Sequence, residues 1–182
     1  MSPKPSFARS SSALAAALVA LFAATAGTLG AEEAKDAKVR RTSFNRPLSA
    51  FDAGALDRAK ARAAQKLQDP VCQQVLSDFK DAQGRPLQEN LQKWGVSPAE
   101  YLEMIPFLDG SSSNLCRWGK VDFVSAPGVP RVFVCAPFAA TQLRDPGTAE
   151  AEVIHEMLHT LGLGENPPTS AEITSRVKGR CG

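Results

Sequence analysis

Residues 146–162 read PGTAEAEVIHEMLHTLG and carry the strongest structural signal in the chain. Pro146 suits the first turn of a helix, where its missing amide N–H costs nothing. Thr148 is a candidate N-cap, and Gly162 supplies the backbone freedom that a helix C-terminus often needs. The sequence therefore predicts a helix over Pro146–Leu161.

The histidines of this predicted helix are its most informative feature. His155 and His159 are four residues apart, which places both side chains on one face of a helix, one turn apart. They are also the only 2 histidines in the whole chain. A His-Glu-x-x-His arrangement of this kind arises by chance in fewer than about one in a thousand placements. Two such imidazoles are suited to hold one Zn²⁺ ion, with Glu156 beside them as a general base acting on water.

A catalytic zinc site needs three protein ligands, and the chain has no third histidine. Because the cysteines are expected to be oxidised, the third ligand should be a carboxylate. Glu165 is the first candidate, since a turn at Gly162 would bring it back beneath the metal. Glu172 on the next helix is the alternative, although Thr169 and Glu172 also form a capping box. The turn at Gly162 favours Glu165, and both candidates remain open at this point.

The stretch from His155 to Glu165 resembles the HExxHxxGxxH/D motif of the metzincin clan, with Glu in the last place. The resemblance covers about a dozen residues. It implies a zincin-like zinc metallopeptidase with an α+β fold, in which a small antiparallel or mixed sheet packs on helices that include the HExxH helix. It further implies an edge strand beside the cleft, which we assign to Arg131–Cys135, and a peptide or protein substrate.

Two other functions compete with peptide hydrolysis. One is a secreted zincin-like module that binds a partner without catalysis, and the other is a helical domain whose histidines are incidental. Tyr101 is the only tyrosine and is expected to pack rather than to serve catalysis. Trp94 and Trp118 are expected in the core or in the wall of the cleft.

Periodicity and turn residues outline the remaining elements. We predict strands over 121–125 and 131–135 that form a hairpin. The predicted helices cover residues 50–67, a segment that starts at Pro70, a segment from Ser97 to about Ile105, and a segment from Thr169 to about Lys178.

The N-terminus resembles a secretory signal peptide. Lys4 and Arg9 precede an uncharged apolar run over 13–26, with small residues before a cleavage point after Ala26. Cleavage after Gly30 or a retained anchor are the alternatives, and the run is short for a membrane span. We therefore divide the chain into a signal peptide (1–26), a linker or leader (27–48) and a metallopeptidase domain (49–182).

The four cysteines are even in number, widely spaced and placed in an exported chain, which predicts two disulfides. We guess the pairing Cys72–Cys116 and Cys135–Cys181. Removal of Lys4 and Arg9 leaves 19 basic and 19 acidic residues. A neutral mature chain gives no electrostatic reason to expect nucleic acid. We expect a secreted or periplasmic monomer that does not insert stably into the membrane.

Overall fold

The computed structural model describes residues 46–118 and 120–182. The predicted signal peptide and nearly all of the linker or leader lie outside the described residues. The described chain folds into helices and one small sheet, an α+β arrangement. In chain order the elements are α1 (Ala50–Lys66), α2 (Pro70–Gln73), α3 (Val75–Asp78), α4 (Leu87–Gln92), α5 (Pro98–Met104), β1 (Phe107–Asp109), α6 (Asn114–Trp118), β2 (Phe123–Val124), β3 (Val132–Val134), α7 (Pro137–Arg144), α8 (Pro146–Thr160) and α9 (Ser170–Cys181).

Helix α8 confirms the helix predicted over Pro146–Leu161 and is packed between other helices. Its N-cap is Asp145, whose side chain accepts a hydrogen bond from the Thr148 amide, so the prediction of Thr148 as N-cap was wrong by three residues. Asp145 can cap because its backbone has left the helical conformation, whereas Thr148 is already inside the first turn. Apolar residues of α8 fill the core, namely Val153, Ile154, Met157 and Leu158.

The other helices bury α8 on several sides. Helix α1 packs against α8, α7 and α5, and α9 packs against α8 and α2. Small residues Ala55, Ala59 and Ala63 on α1 are fully buried and let the helices approach closely. Lys66 of α1 pairs with the buried Glu150 of α8, with 3.0 Å between Nζ and Oε2. The result is a helical scaffold that holds α8 in place, and α9 also reaches His155 through Thr174.

The capping box predicted for Thr169 and Glu172 is present, and the helix predicted from Ser97 also begins with a capping box. Ser97 and Glu100 begin α5, and Thr169 and Glu172 begin α9. Helix α9 continues to Cys181, beyond the predicted end near Lys178, because Val177 and Cys181 are still buried. Asp69 caps the segment that starts at Pro70, as expected, although that segment divides into α2 and α3.

The sheet is mixed and has the order β1-β3-β2. Strands β2 and β3 are antiparallel, which confirms the predicted hairpin, while β1 runs parallel to β3. The prediction of Arg131–Cys135 as the edge strand was wrong, because β3 lies in the centre and β2 forms an edge. Strand β1 pairs with a segment more than 20 residues away, and short strands of this kind leave little local signal.

The disulfides join Cys72 to Cys181 and Cys116 to Cys135, so the guessed pairing was wrong. Packing of α9 against α2 brings the first pair to a Cα–Cα distance of 4.5 Å, and α6 lies against the end of β3 at 5.2 Å for the second. Two disulfides indicate an oxidising compartment. Among the described residues, no helix is both long and apolar enough to cross a membrane.

Candidate metal centre

The two histidines point the same way from α8, as their spacing requires. The Nε2 atoms of His155 and His159 are 2.9 Å apart, and the two residues are only 4% and 6% exposed. Each ring also has a partner for its other nitrogen. The Nδ1 atom of His159 lies 2.7 Å from the carbonyl oxygen of Leu163, and that of His155 lies 2.9 Å from the Thr174 hydroxyl.

The Leu163 carbonyl fixes a proton on Nδ1 of His159, whereas the Thr174 hydroxyl leaves the tautomer of His155 open. A carbonyl can only accept, so Nδ1 of His159 donates, and in the neutral form of this ring Nε2 presents a lone pair. The Thr174 hydroxyl can donate or accept, and it therefore suits either neutral tautomer of His155. Burial, followed by the unfavourable electrostatic interaction that a second proton would have with the neighbouring His159, lowers the pKa of His155 to about 3. The ring is neutral at physiological pH, which is the state a metal ligand requires.

Two arrangements of protons satisfy the ring nitrogens of His155 and His159, one with a bound cation and one without. If Thr174 accepts from His155 Nδ1, both Nε2 atoms offer lone pairs to a cation. If Thr174 donates instead, His155 Nε2 can donate directly to His159 Nε2, and the pair is satisfied without an ion. The rotatable hydroxyl of Thr174 is therefore compatible with a loaded and an empty state.

Glu165 reaches the same point from the loop after α8. Its Oε1 atom is 3.4 Å from His155 Nε2 and 3.3 Å from His159 Nε2. The chain returns through a helix C-terminal motif in which Leu163 N–H donates to Leu158 and Gly162 N–H donates to His159. Gly162 has φ 110°, a conformation that favours glycine, so the expected turn at this residue is confirmed.

A polar network holds this turn in place. The Asn90 side chain donates to the Leu161 carbonyl at 2.9 Å and to Asp81 Oδ2 at 2.8 Å. Asp81 also forms a backbone bridge with Leu163. A Cβ added at Gly162 would lie 3.2 Å from the Asp81 Cβ. The turn that delivers Glu165 and the carbonyl for His159 is thus fixed by residues more than 70 positions earlier.

Glu156 lies beside the histidines on α8. Ligand atoms of His155, Glu156 and His159 all lie within 4.8 Å of one another, so this group could hold a metal ion. Burial raises the pKa of the Glu156 carboxyl, against a lowering by its hydrogen bond with Ser125. A raised pKa makes a carboxylate a better proton acceptor near neutral pH.

The donor atoms fit a small tetrahedral cation. Donors bound at about 2.0–2.1 Å in a tetrahedron lie about 3.3–3.4 Å from one another. Both distances from Glu165 Oε1 to the histidine nitrogens agree with this value, and the 2.9 Å between the nitrogens needs to open by a few tenths of an ångström. Two imidazoles and one carboxylate are also a ligand set that zinc accepts in catalytic sites.

Glu172 is not brought to this group. Its carboxylate accepts hydrogen bonds from the amide and hydroxyl of Thr169, each at 2.8 Å, and these bonds lower its pKa. It lines a separate depression on the other side of α9, away from the cleft that contains the histidines. The structure therefore gives Glu172 the capping role and, of the two candidates for third ligand, brings only Glu165 to the rings.

The remaining aromatic predictions have mixed outcomes. Tyr101 is 1% exposed and donates to Thr160 Oγ1 at 3.1 Å, so it packs in the core as expected. Trp94 packs on Tyr101 but stays half-exposed and does not line the cleft. Trp118 does line it.

Sequence reasoning missed an acidic pair next to the histidines. Burial and then a hydrogen bond with Asp122 raise the pKa of Glu152 to about 8. One oxygen of Glu152 is buried without a hydrogen-bond partner among the described residues. Glu152 is four residues before Glu156, so the same helical periodicity could have revealed it. Asp122 and Thr174 come from other elements, and no local pattern marks them.

The two histidines and the carboxylates beside them line one open cleft of about 1480 Å³. The floor of the cleft is formed by Glu152, His155, Glu156, His159 and Glu165. One edge follows β2 through residues 122–125, and helices α6 and α7 add further lining, with α6 in contact with β2. The site is thus accessible to a ligand much larger than a single ion.

The fold and site together define an α+β protein with a buried His/Glu group, able to hold a metal ion, at the base of an open cleft. No protein-family profile, curated protein or solved structure matches the chain.

Proposed function

We propose that this protein is a secreted zinc-dependent metallopeptidase. The observation that carries the proposal is the convergence of His155 Nε2, His159 Nε2 and Glu165 Oε1 within 3.4 Å of one another at the base of an open cleft. This triad of donors leaves one tetrahedral position for water or substrate, as catalytic zinc sites do.

Each residue then has a distinct role. Zinc, when bound, supplies a positive charge that polarises the scissile carbonyl and makes water more acidic. Glu156 accepts the proton of the attacking water and passes it to the leaving amine. Ser125 orients the Glu156 carboxylate, while Thr174 and the Leu163 carbonyl orient the two rings.

Strand β2 provides a place for the peptide backbone. Within the described sheet it pairs with β3 on one side, and residues 122–125 line the cleft on the other. An extended peptide can add to such an edge through main-chain hydrogen bonds, placing a peptide bond over the histidines. The role that the sequence resemblance gave to Arg131–Cys135 therefore passes to β2.

The proposed location outside the cytoplasm has two supports. The two disulfides require an oxidising environment to form and persist. Residues 1–26 have the basic start, apolar stretch and small residues of a secretory signal. We expect the mature protein to be a secreted or periplasmic monomer.

Replacement of the general base tests the activity. Glu156→Gln should lower the hydrolysis rate of fluorescently labelled casein by about 10²–10⁴-fold, because the amide cannot accept the proton. Its zinc content should stay unchanged. Glu89→Gln is the matched control, since Glu89 is exposed on α4 and lies outside the cleft.

Two results would contradict the proposal in different ways. Zinc binding without hydrolysis of any peptide by the unmodified protein would favour the catalytically inactive binding module. Absence of zinc from protein purified without chelators would favour the hydrogen-bonded histidine pair, in which Thr174 donates to His155.

A further inference from the structure

The part of the cleft that is lined by α6 and the residues leading into β2 exposes an unusual amount of apolar surface. Leu115 and Trp118 of α6, and Val121 just after it, are 63%, 84% and 40% exposed, and all three line the cleft. We call these three residues the apolar wall. Leu143 of α7 is equally exposed but does not line the cleft. Clustered apolar exposure beside a chemical site indicates a binding surface more than scattered exposure does.

Covalent and polar contacts fix the segment that carries this wall. The disulfide of Cys116 with Cys135 ties α6 to the end of β3. The Arg117 guanidinium donates to the Ser112 carbonyl at 2.9 Å, and the Arg117 amide donates to the Ser113 carbonyl. The exposed side chains are therefore presented by an anchored helix, with less ordering to be done when a ligand binds.

Basic side chains line the cleft on the same segment as the apolar wall and on α7. Arg117, Lys120 and Arg144 line the same cleft, and none of them forms an ion pair with a carboxylate in the described part of the chain. We call these three residues the basic rim. Its position beside the apolar wall gives this side of the cleft a positive charge next to an apolar surface.

The acidic residues that line the cleft have partners, including Asp122 beside Val121. Glu165 contacts the two histidines, Glu156 bonds to Ser125, and Glu152 bonds to Asp122. The carboxylates of the cleft are thus engaged with neighbouring groups, whereas the three cations have no ion pair among the described residues. A ligand that complements this side must combine apolar side chains with negative charge.

We propose that the apolar wall and the basic rim select a peptide segment in which large apolar residues are flanked by acidic ones. This inference rests on the proposed peptidase function and names the substrate class of that site. The cleft volume of about 1480 Å³ exceeds the roughly 300–1,000 Å³ of a small-molecule site, and the free edge of β2 suits an extended chain. Acidic side chains pair with the basic rim while apolar ones pack on Leu115, Trp118 and Val121.

Binding can be measured without turnover. Trp94 and Trp118 are the only tryptophans, so the full-length Glu156→Gln protein with Trp94→Phe reports on Trp118 alone. The probes are three blocked hexapeptides. The first has Phe-Leu at its centre and Asp on both sides, the second replaces each Asp by Lys, and the third replaces Phe-Leu by Ser-Ser.

The first peptide should shift the Trp118 emission and bind at least about tenfold more tightly than either of the others. Arg117→Ala with Lys120→Ala should remove the discrimination against the Lys peptide. Trp118→Ala, titrated by calorimetry because this background then contains no tryptophan, should remove the discrimination against the Ser-Ser peptide. Leu143→Ala and Arg62→Ala are the matched controls, because both residues are exposed and lie outside the cleft.

Trp94 packs on Tyr101, so the Trp94→Phe substitution alters a contact with the core. Calorimetric titration of the single Glu156→Gln variant therefore repeats the peptide comparison with Trp94 in place. Equal affinity for the three peptides, or binding of none of them, would overturn the inference. Failure of the unmodified protein to cleave any peptide would instead refute the proposed peptidase function, since the binding comparison does not depend on cleavage.

Discussion

At the scale of single residues, the proposed metal centre depends on which atoms surround the Nε2 atoms of His155 and His159. Among the carboxylates of the described residues, only Glu165 has an oxygen within 3.4 Å of both Nε2 atoms. The Glu165 side chain is 38% exposed and lines the cleft, while its Oε1 atom lies 3.4 Å from the buried His155 ring. This position explains how a half-exposed residue could complete a buried donor set.

Glu165→Gln should weaken zinc binding by at least about tenfold, because even the loss of a partner behind a ligand costs that much. Glu172→Gln should leave zinc binding unchanged, since Glu172 caps α9. Competition with a chelator of known affinity measures both variants. Equal weakening by the two substitutions, or weakening by Glu172→Gln alone, would show that the third ligand is wrongly assigned.

Gly162 is the second decisive residue. Gly162→Ala should lower the free energy of unfolding by about 1–3 kcal/mol, because φ 110° strains a residue with a Cβ and that Cβ meets Asp81. Gly164→Ala is the matched control, since its φ lies outside the left-handed region and its Cβ would have open space. Urea denaturation compares the two, and equal stability of both variants would contradict this interpretation of the turn.

Asp81 should make part of the stability depend on pH. Hydrogen bonds, first from Asn90 and then from Arg85, hold the pKa of its carboxyl below the ordinary value. The folded state therefore binds the proton less readily than the unfolded chain. The stabilisation is present at neutral pH and is lost as the pH falls below about 4, where the unfolded-state aspartate becomes protonated.

Asp81→Asn removes this dependence. Urea unfolding of the unmodified protein and of Asp81→Asn should differ most near pH 7, and the difference should shrink towards pH 3. A difference that is constant over this range would mean that the charge of Asp81 does not contribute to the stability of the turn.

At the scale of elements, the sequence predicted the parts whose signals are local. The four-residue spacing of the histidines placed both on one face of α8, and the capping residues Ser97 and Thr169 predicted where α5 and α9 begin. The N-cap of α8 was misplaced because both Asp145 and Thr148 have capping side chains and only backbone geometry separates them. Glu165 could be proposed because Gly162 marks the turn, while the Asp81 network that fixes this turn comes from distant residues.

Strand order and disulfide pairing needed the packed structure. A short strand such as β1 gains its hydrogen bonds from β3, so its own sequence says little about its place in the sheet. The cysteines pair according to which elements pack together, as with α2 and α9. The apolar wall was only partly foreseen, since Trp118 was expected in the core or in the wall of a cleft.

The two disulfides should make unequal contributions to stability. The Cys72–Cys181 bridge spans 109 residues and the Cys116–Cys135 bridge spans 19. In the chain-entropy model, these loops correspond to about 5 and about 3 kcal/mol. Replacing Cys72 and Cys181 by Ser should therefore lower the free energy of unfolding more than replacing Cys116 and Cys135.

The second pair of substitutions should instead affect the cleft, because Cys116 lies between Leu115 and Arg117. Urea denaturation and peptide titration together test this division of roles. A larger loss of stability from the Cys116–Cys135 pair, with unchanged peptide binding, would contradict it.

At the scale of the whole molecule, a helical scaffold holds one central helix so that its polar face lines a cleft. Helices α1 and α9 pack on α8, the turn after α8 is fixed by Asp81 and Asn90, and the Gly128 amide between β2 and β3 donates to the His159 carbonyl. Contacts from the helices, the loop and the hairpin thus meet at the end of α8 that carries His159. A metal ion at this point would join α8 to the loop of Glu165 and should stabilise the fold.

The central claim is tested most directly by a crystal structure of protein purified without chelators, with diffraction recorded on both sides of the zinc absorption edge. We predict one anomalous peak at about 2.0–2.2 Å from His155 Nε2, His159 Nε2 and Glu165 Oε1. Absence of a peak, with the two Nε2 atoms remaining in direct hydrogen-bond contact, would contradict the metal centre and the peptidase function built on it.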